Sequence, residues 1–330
     1  MNPDGGLAGD GLERGHPEGS AQEGVTLRLG TRRSKLALAQ SGLMGRAVEA
    51  ANPGVMVKLI PVVTRGDVLQ GSLAKHGGKG LFTQELEAGL LDGALHFAVH
   101  SLKDLPAVLP AGLEISAFPE RADARDVMVS EVAEDLDGLP EGAVLLTGSL
   151  RRRAQILARR PDLEVEPIRG NVDTRLRKWR EQKAAGLILA KAGLDRLGIG
   201  QVPIHPLDPE IVIPSPGQGT LALEAKTGSE AAEVCGRINH GPSAFAARAE
   251  RRVVRAFGAD CTLPLAAWAR PDGPDANDRL RLTALLATPD GRHVARAEAV
   301  GHDPEDVAEE CVAQLREAGA AEILERIGRT

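Results

Sequence analysis

Four short segments concentrate cationic and hydroxyl side chains just past stretches patterned as β-strands. They are Thr31-Arg32-Arg33-Ser34, Ser101-Leu102-Lys103-Asp104, Gly148-Ser149-Leu150-Arg151-Arg152-Arg153 and Arg169-Gly170-Asn171 with Thr174-Arg175. Three of the four run straight into a helical pattern. A helix N-terminus offers free backbone N–H groups and a positive dipole end. Adding hydroxyls and forked guanidiniums makes an anion site, and arginine suits carboxylates because it binds them bidentately. One such segment is an ordinary surface loop. Four at the same end of successive strands describe a polyanion cleft, which suits several carboxylates as well as phosphates.

Asp104 is the acid within this cationic setting, where neighbouring positive charge keeps a carboxylate ionised. Its two readings are an ion-pair partner and a stabiliser of a cation formed during reaction. Asp67 reads as a turn acid. The glycine-rich run Lys75 to Gly80 is not a nucleotide-binding loop, since no Ser or Thr follows Lys79; it reads as a mobile loop over the cleft. Of three cysteines, Cys235 and Cys311 fall at helical spacing among apolar neighbours and read as core residues. Cys261 lies in Ala-Asp-Cys-Thr-Leu-Pro, where no period holds, and is a candidate for covalent chemistry.

The elements that must position these groups follow from pattern. Strands are expected at 25–29, 55–63, 96–100, 113–117, 126–130, 143–147, 163–168 and 187–190, with helical stretches between many of them. This alternation implies an α/β architecture with mostly parallel sheets, in which ligands bind beyond the carboxyl ends of the strands. After about residue 240 the pattern changes to a helix, two strands at 280–287 and 293–299, and a helix opening at Asp303-Pro304, a separate small α+β unit. Residues 1–24 carry few apolar side chains and predict a disordered extension. They show no secretory signal, and no stretch is apolar enough to span a membrane. A net charge of −6 with 2% aromatics argues against base-stacking nucleic-acid binding. No C-x-x-C pair occurs, which argues against a thiolate metal site.

Several motifs together resemble the porphobilinogen deaminase (hydroxymethylbilane synthase) family. They are Ala-Val-His-Ser-Leu-Lys-Asp-Leu-Pro at 98–106, Gly-Ser-Leu-Arg-Arg at 148–152 and Arg-Gly-Asn-Val-Asp-Thr-Arg at 169–175. Val-Thr-Arg-Gly-Asp at 63–67, Gly-Gly-Lys-Gly-Leu-Phe at 77–82, Pro-Gly-Gln-Gly at 216–219 and the Cys261 loop join them in the same order. The resemblance implies a transferase of tetrapyrrole (porphyrin, heme) biosynthesis. It would join four porphobilinogen molecules head to tail, release ammonia each time, and yield the linear tetrapyrrole hydroxymethylbilane. It implies a covalent dipyrromethane cofactor on Cys261 through a thioether, and no metal. By resemblance, Ser34, Ser101, Lys103, Ser149, Arg151 and Arg152 hold cofactor carboxylates. Arg32, Arg169, Arg175 and Arg196 orient the incoming ring and the elongating chain. Asp104 hydrogen-bonds the pyrrole N–H groups and steadies the azafulvenium cation left when ammonia departs.

The implied fold is α/β, with two periplasmic-binding-protein-like domains flanking a cleft plus a small α+β C-terminal domain. The expected boundaries are 25–119 with 218–238 for the first domain, 120–217 for the second and 239–330 for the third, which carries the cofactor cysteine. A cytoplasmic monomer acting on a small molecule, without nucleic acid or membrane, completes the expectation. Ala259-Asp260 stands where the family has a glycine pair, and Gly148 where it often has Ser or Thr. The competing reading is a non-catalytic carboxylate-binding protein, which would have no use for the third unit or its cysteine.

Overall fold

A computed structural model describes residues 24–64, 83–259, 262–273 and 279–329. Three sheets organise them. The first holds β1 (Val25–Arg32), β2 (Val55–Val62), β3 (Phe97–Ser101), β4 (Leu113–Ala117) and β10 (Leu221–Lys226), in the order β2-β1-β3-β10-β4. The second holds β5 (Asp126–Val129), β6 (Val144–Leu146), β7 (Glu164–Glu166), β8 (Gly186–Ala190) and β9 (Ile204–Pro206), in the order β7-β6-β8-β5-β9. The third is β11 (Leu265–Pro271), β12 (Leu280–Ala287) and β13 (Val294–Gly301), antiparallel throughout.

The first two sheets share one plan. In each, three parallel strands carry a fourth strand running the other way, then a fifth antiparallel to it. The expectation of mostly parallel sheets is corrected to mixed ones. Strand direction leaves no mark on a short apolar run, so pattern alone could not place β10 and β5 against their neighbours. The third unit likewise has three strands, not two; β11, with the sequence Leu-Ala-Ala-Trp-Ala-Arg-Pro, is uniformly small and apolar and shows little alternation.

Helices pack on the sheets. They are α1 (Lys35–Ala51), α2 (Gln84–Leu91), α3 (Leu150–Arg159), α4 (Val172–Gln182), α5 (Lys191–Arg196), α6 (Glu230–Gly236), α7 (Gly241–Ala256), α8 (Pro304–Glu317) and α9 (Ala320–Arg326). On the first sheet, Met44 and Val48 of α1 close over Leu27, Leu29 and Phe97. In the third unit, α7 and α8 bury Val253, Val307, Cys311 and Leu315 against Leu282, Ala284 and Leu286. Cys235 and Cys311 are both fully buried, as their spacing predicted, and burial pushes each thiol up to about 12. Among the described residues, no helix is long and apolar enough to cross a membrane.

The caps explain why helix N-termini open where the cations sit. Ser34 Oγ accepts from the Ala37 N–H at 3.3 Å, Ser149 Oγ from Arg152 N–H at 3.4 Å and Asn171 Oδ1 from Thr174 N–H at 3.0 Å. Each cap satisfies an orphan donor and fixes the first helical turn just beyond a strand or the short loop that follows it. Asp303 caps α8 with Pro304 in its first turn, as the sequence predicted.

Candidate functional site: a cationic cleft between the two mixed sheets

The first sheet contributes the side chains past β1 and β3. Arg32, Ser34, Ser101 and Asp104 line one pocket, with Gln40, Thr83 and His100. Gln40 Nε2 donates to Ser101 Oγ at 3.0 Å, which sets that hydroxyl. Leu102–Asp104 forms a single 3-10 turn at the end of β3, so Lys103 and Asp104 leave the sheet together. β1 runs on to Arg32, so Thr31 and Arg32 belong to the strand and not to a following loop.

The second sheet contributes α3. Arg151 and Arg152 are both buried and converge on Asp126, which is itself fully buried at the start of β5. Arg151 Nη1 donates to Asp126 Oδ2 at 2.7 Å and to the Ile213 carbonyl at 2.6 Å. Arg152 donates to Asp126 Oδ1 through Nε at 3.0 Å and Nη2 at 2.7 Å. Burial alone would raise the Asp126 carboxyl, but the two guanidiniums hold it well below the usual carboxylate range. The two arginines are therefore anchored in the cleft floor by a carboxylate of the protein.

Gln218 ties the two halves. Its Nε2 donates to Asp126 Oδ1 at 2.7 Å, and its Oε1 accepts from Lys103 Nζ at 3.3 Å. Lys103 thus comes within electrostatic reach of Asp104, Arg152, Asp126 and Arg151. Solvent reaches the Lys103 side chain, yet the cleft walls withhold much of its hydration. That desolvation brings its ammonium down to about 8, with Asp104 opposing the fall and the arginines adding to it. Arg175 of α4 senses both Arg152 and Asp104 and is lowered mainly by burial; its Nε donates to the Gly170 carbonyl at 2.7 Å. Arg196 Nη2 donates to the Gly219 carbonyl at 2.6 Å, one residue from Gln218. Lys35, in the first turn of α1, pairs with Asp173, in the first turn of α4, at 2.9 Å, so these helix N-termini face each other across the cleft.

Most of the expected site residues gather here. Arg169 sits on an exposed stretch, where its carbonyl accepts from Lys178. Ser149 is occupied as the cap of α3. Cys261, Asp67 and the run Lys75 to Gly80 lie outside the described residues. Thr262, next to the cysteine, accepts a hydrogen bond from Arg329.

Sequence reasoning missed Asp126, Gln218 and a second hub at Glu250. Glu250 is fully buried and accepts from Arg121 Nη1 at 2.7 Å, Gly217 N–H at 2.5 Å and Ala269 N–H at 2.7 Å. It fastens α7 and β11 to the two chain crossings between the sheets. The crossings lie side by side, Ala122 N–H donating to the Gly219 carbonyl at 3.3 Å. Gly219 has φ +86°, and a Cβ there would stand 2.4 Å from the Ala122 carbonyl oxygen, so glycine is required. Behind the pocket, buried His100 Nε2 lies 3.0 Å from buried Glu224 Oε2. Burial pushes the nearby Glu87 carboxyl up, Thr83 opposing. An acid opening an apolar strand, as in Asp126-Val-Met-Val, was the available signal for the first hub.

A surplus of cations over acids among the described residues, with hydroxyls at two helix starts and one strand end, gives this two-lobed α/β protein a cleft whose chemistry suits a multiply carboxylated small molecule. The family described as "Porphobilinogen deaminase, dipyromethane cofactor binding domain" matches residues 27–234, and "Porphobilinogen deaminase, C-terminal domain" matches residues 244–319. The chain is 40% identical over 305 residues to the porphobilinogen deaminase of Bacillus velezensis, covering 92% of this chain and 96% of that one. It is 43% identical over 307 residues to that of Moorella thermoacetica, covering 92% and 97%. Similar solved structures include the methionine-binding protein MetQ, with TM-score 0.40 and 10% identity over 64% of this chain and 89% of that one. The chain belongs to the porphobilinogen deaminase family, the transferases that use a dipyrromethane cofactor to build hydroxymethylbilane.

Proposed function

We propose that Cys261 anchors the dipyrromethane and that the cleft holds its carboxylates through Ser34, Ser101, Lys103, Ser149, Arg151 and Arg152. The donor set fits the group. Among the described residues, Lys103, Arg151, Arg152 and Arg175 face only Asp104 and Asp126 as acids within the cluster, and a cofactor bearing several carboxylates supplies the missing negative charge. When bound, that group would supply the free pyrrole carbon to which the first ring is joined, each later ring joining the one before it.

The chain's own residues do the rest. Arg32, Arg169, Arg175 and Arg196 orient the acetate and propionate arms of porphobilinogen by forked hydrogen bonds. Asp104 stands at the cation-rich wall, within electrostatic reach of Lys103 and Arg175. Porphobilinogen loses its amine as ammonia, and positive charge develops on its methylene and ring nitrogen. A carboxylate already in place stabilises that charge without reorganisation at the moment of reaction. The Asp126 pair fixes Arg151 and Arg152, so the field they impose does not shift as rings accumulate. The same reading describes a cytoplasmic monomer acting on a small molecule.

The observation that carries this reading is the meeting of Lys103, Asp104, Arg151, Arg152 and Arg175 from both lobes in one cleft. Intact mass tests it. The wild-type chain is expected to be heavier than its sequence by two pyrrole units, and Cys261→Ser to carry none. An unmodified wild type that consumes no porphobilinogen overturns it. Asp104→Asn is expected to keep the fold and the cofactor while losing turnover at least about a hundredfold, in line with removal of a preorganised charge partner.

A further inference from the structure

A second concavity shares no lining residue with the cleft. It is a groove of about 620 Å³ between α7 and the segment around β4. One wall is apolar, with Val108, Leu109 and Phe118; the other is the face of α7 that presents Arg248, Arg251 and Arg255. Their three- and four-residue spacing stacks the guanidinium stems on one side of the helix. Val108 is 72% exposed, an apolar side chain left in water at the lip.

The charge in this groove is not balanced. Arg251 is only 8% exposed, yet its guanidinium donates to neutral acceptors, the carbonyls of Pro106 and Ala107, each at 3.0 Å. Arg255 Nε donates to the same Ala107 carbonyl at 3.0 Å. Among the described residues, none of the three arginines is in an ion pair. A buried cation whose hydrogen bonds go to neutral carbonyls is costly and is stabilised by an incoming anion. Burial brings the Arg251 guanidinium down to about 10, Arg255 adding to the fall and Glu224 opposing it. Two acids, Glu114 and Glu305, line the groove beside the three arginines. Glu305 lies 3.4 Å from Arg252, and Glu114 accepts from the Gly228 N–H at 3.1 Å.

We propose that this groove is a second anion site, taking a small di- or tricarboxylate carried on a flat apolar frame. The forked guanidiniums suit carboxylates, the apolar wall takes the frame, and the volume falls in the range of small-molecule sites. The proposal stands apart from the reading of the cleft and survives if that reading fails.

Equilibrium dialysis of the holoenzyme against benzene-1,2,4-tricarboxylate tests it, with Lys103→Gln to weaken the cleft and the double variant Arg248→Gln/Arg255→Gln to weaken the groove. Arg248 and Arg255 are exposed, so their substitution spares the core. Wild type is expected to show a binding step that persists in Lys103→Gln and weakens about a hundredfold in the double variant, roughly tenfold for each guanidinium removed. Three results overturn the proposal: no binding to wild type, an isotherm unchanged in the double variant, or a single step that vanishes in Lys103→Gln. A poly-glutamate peptide that binds wild type and not the double variant, while the tricarboxylate does not bind at all, overturns it in favour of a protein partner.

Discussion

Asp126→Asn is the sharpest perturbation that the cleft offers. The carboxylate is fully buried and accepts from Arg151, Arg152 and Gln218 at 2.7–3.0 Å. The amide keeps the shape but removes the charge, and its NH2 group turns a donor toward a guanidinium. Two buried cations then share the floor with no counter-charge. Breaking a buried pair in this way costs about 3–5 kcal/mol, and even a cooperative unit of some 200 residues then melts at least about 6 °C lower. Differential scanning calorimetry reads the loss. Because Asp126 titrates well below an unfolded aspartate, its contribution is complete above about pH 4 and disappears as pH falls toward the folded value. The wild-type and variant curves should therefore converge in strong acid and separate at neutral pH. Adding Arg152→Met to Asp126→Asn removes one stranded cation and is expected to recover part of the loss. A variant melting within about 1 °C of wild type at pH 7 would refute the view that Asp126 anchors the arginines.

The grip on the cofactor takes its pH dependence from Lys103, whose ammonium is brought down to about 8: the stabilisation conferred by the bound cofactor, read as the melting-temperature difference between wild type and Cys261→Ser, should shrink as pH climbs through that value, and Lys103→Arg should flatten the change. Gly219→Ala combines a left-handed φ with a backbone clash, so a loss of about 2–4 kcal/mol is expected by chemical denaturation. Glu250→Gln should lower the melting temperature by several degrees, because it leaves the partly buried Arg121 without its carboxylate. A Gly148→Ser variant should not gain the family's usual hydroxyl contact without cost, since its Cβ would meet the Ile168 carbonyl oxygen at 2.6 Å; a melting temperature at or above wild type would contradict that.

Much of the site was legible because its chemistry is local. Ser34, Ser149 and Asn171 each announce a helix start within three residues, and the cations sit beside them. The long β12 and the Asp303 cap were readable for the same reason. The hubs were not. Asp126 meets Arg151 from 25 residues away and Gln218 from 92, and Arg121 meets Glu250 from 129. A single acid has no period, so nothing in the chain marks which distant guanidinium it will find. Strand direction escaped for a related reason: β10, Leu-Ala-Leu-Glu-Ala-Lys, carries an inward Glu224 whose partner His100 belongs to another strand. The arrangement became visible only when the neighbours were known.

The insertion of β10 between β3 and β4 also orders events at the ribosome. β4 ends at Ala117 and β10 begins at Leu221, so the gap between them takes about 5–20 s to synthesise at ordinary elongation rates. Through that interval β3 and β4 each present an unpaired edge able to recruit another nascent chain. The second sheet closes earlier, since its last strand ends at Pro206. The lobe encoded later is thus the first whose sheet can be completed, and the lobe that emerges first must wait with its middle open.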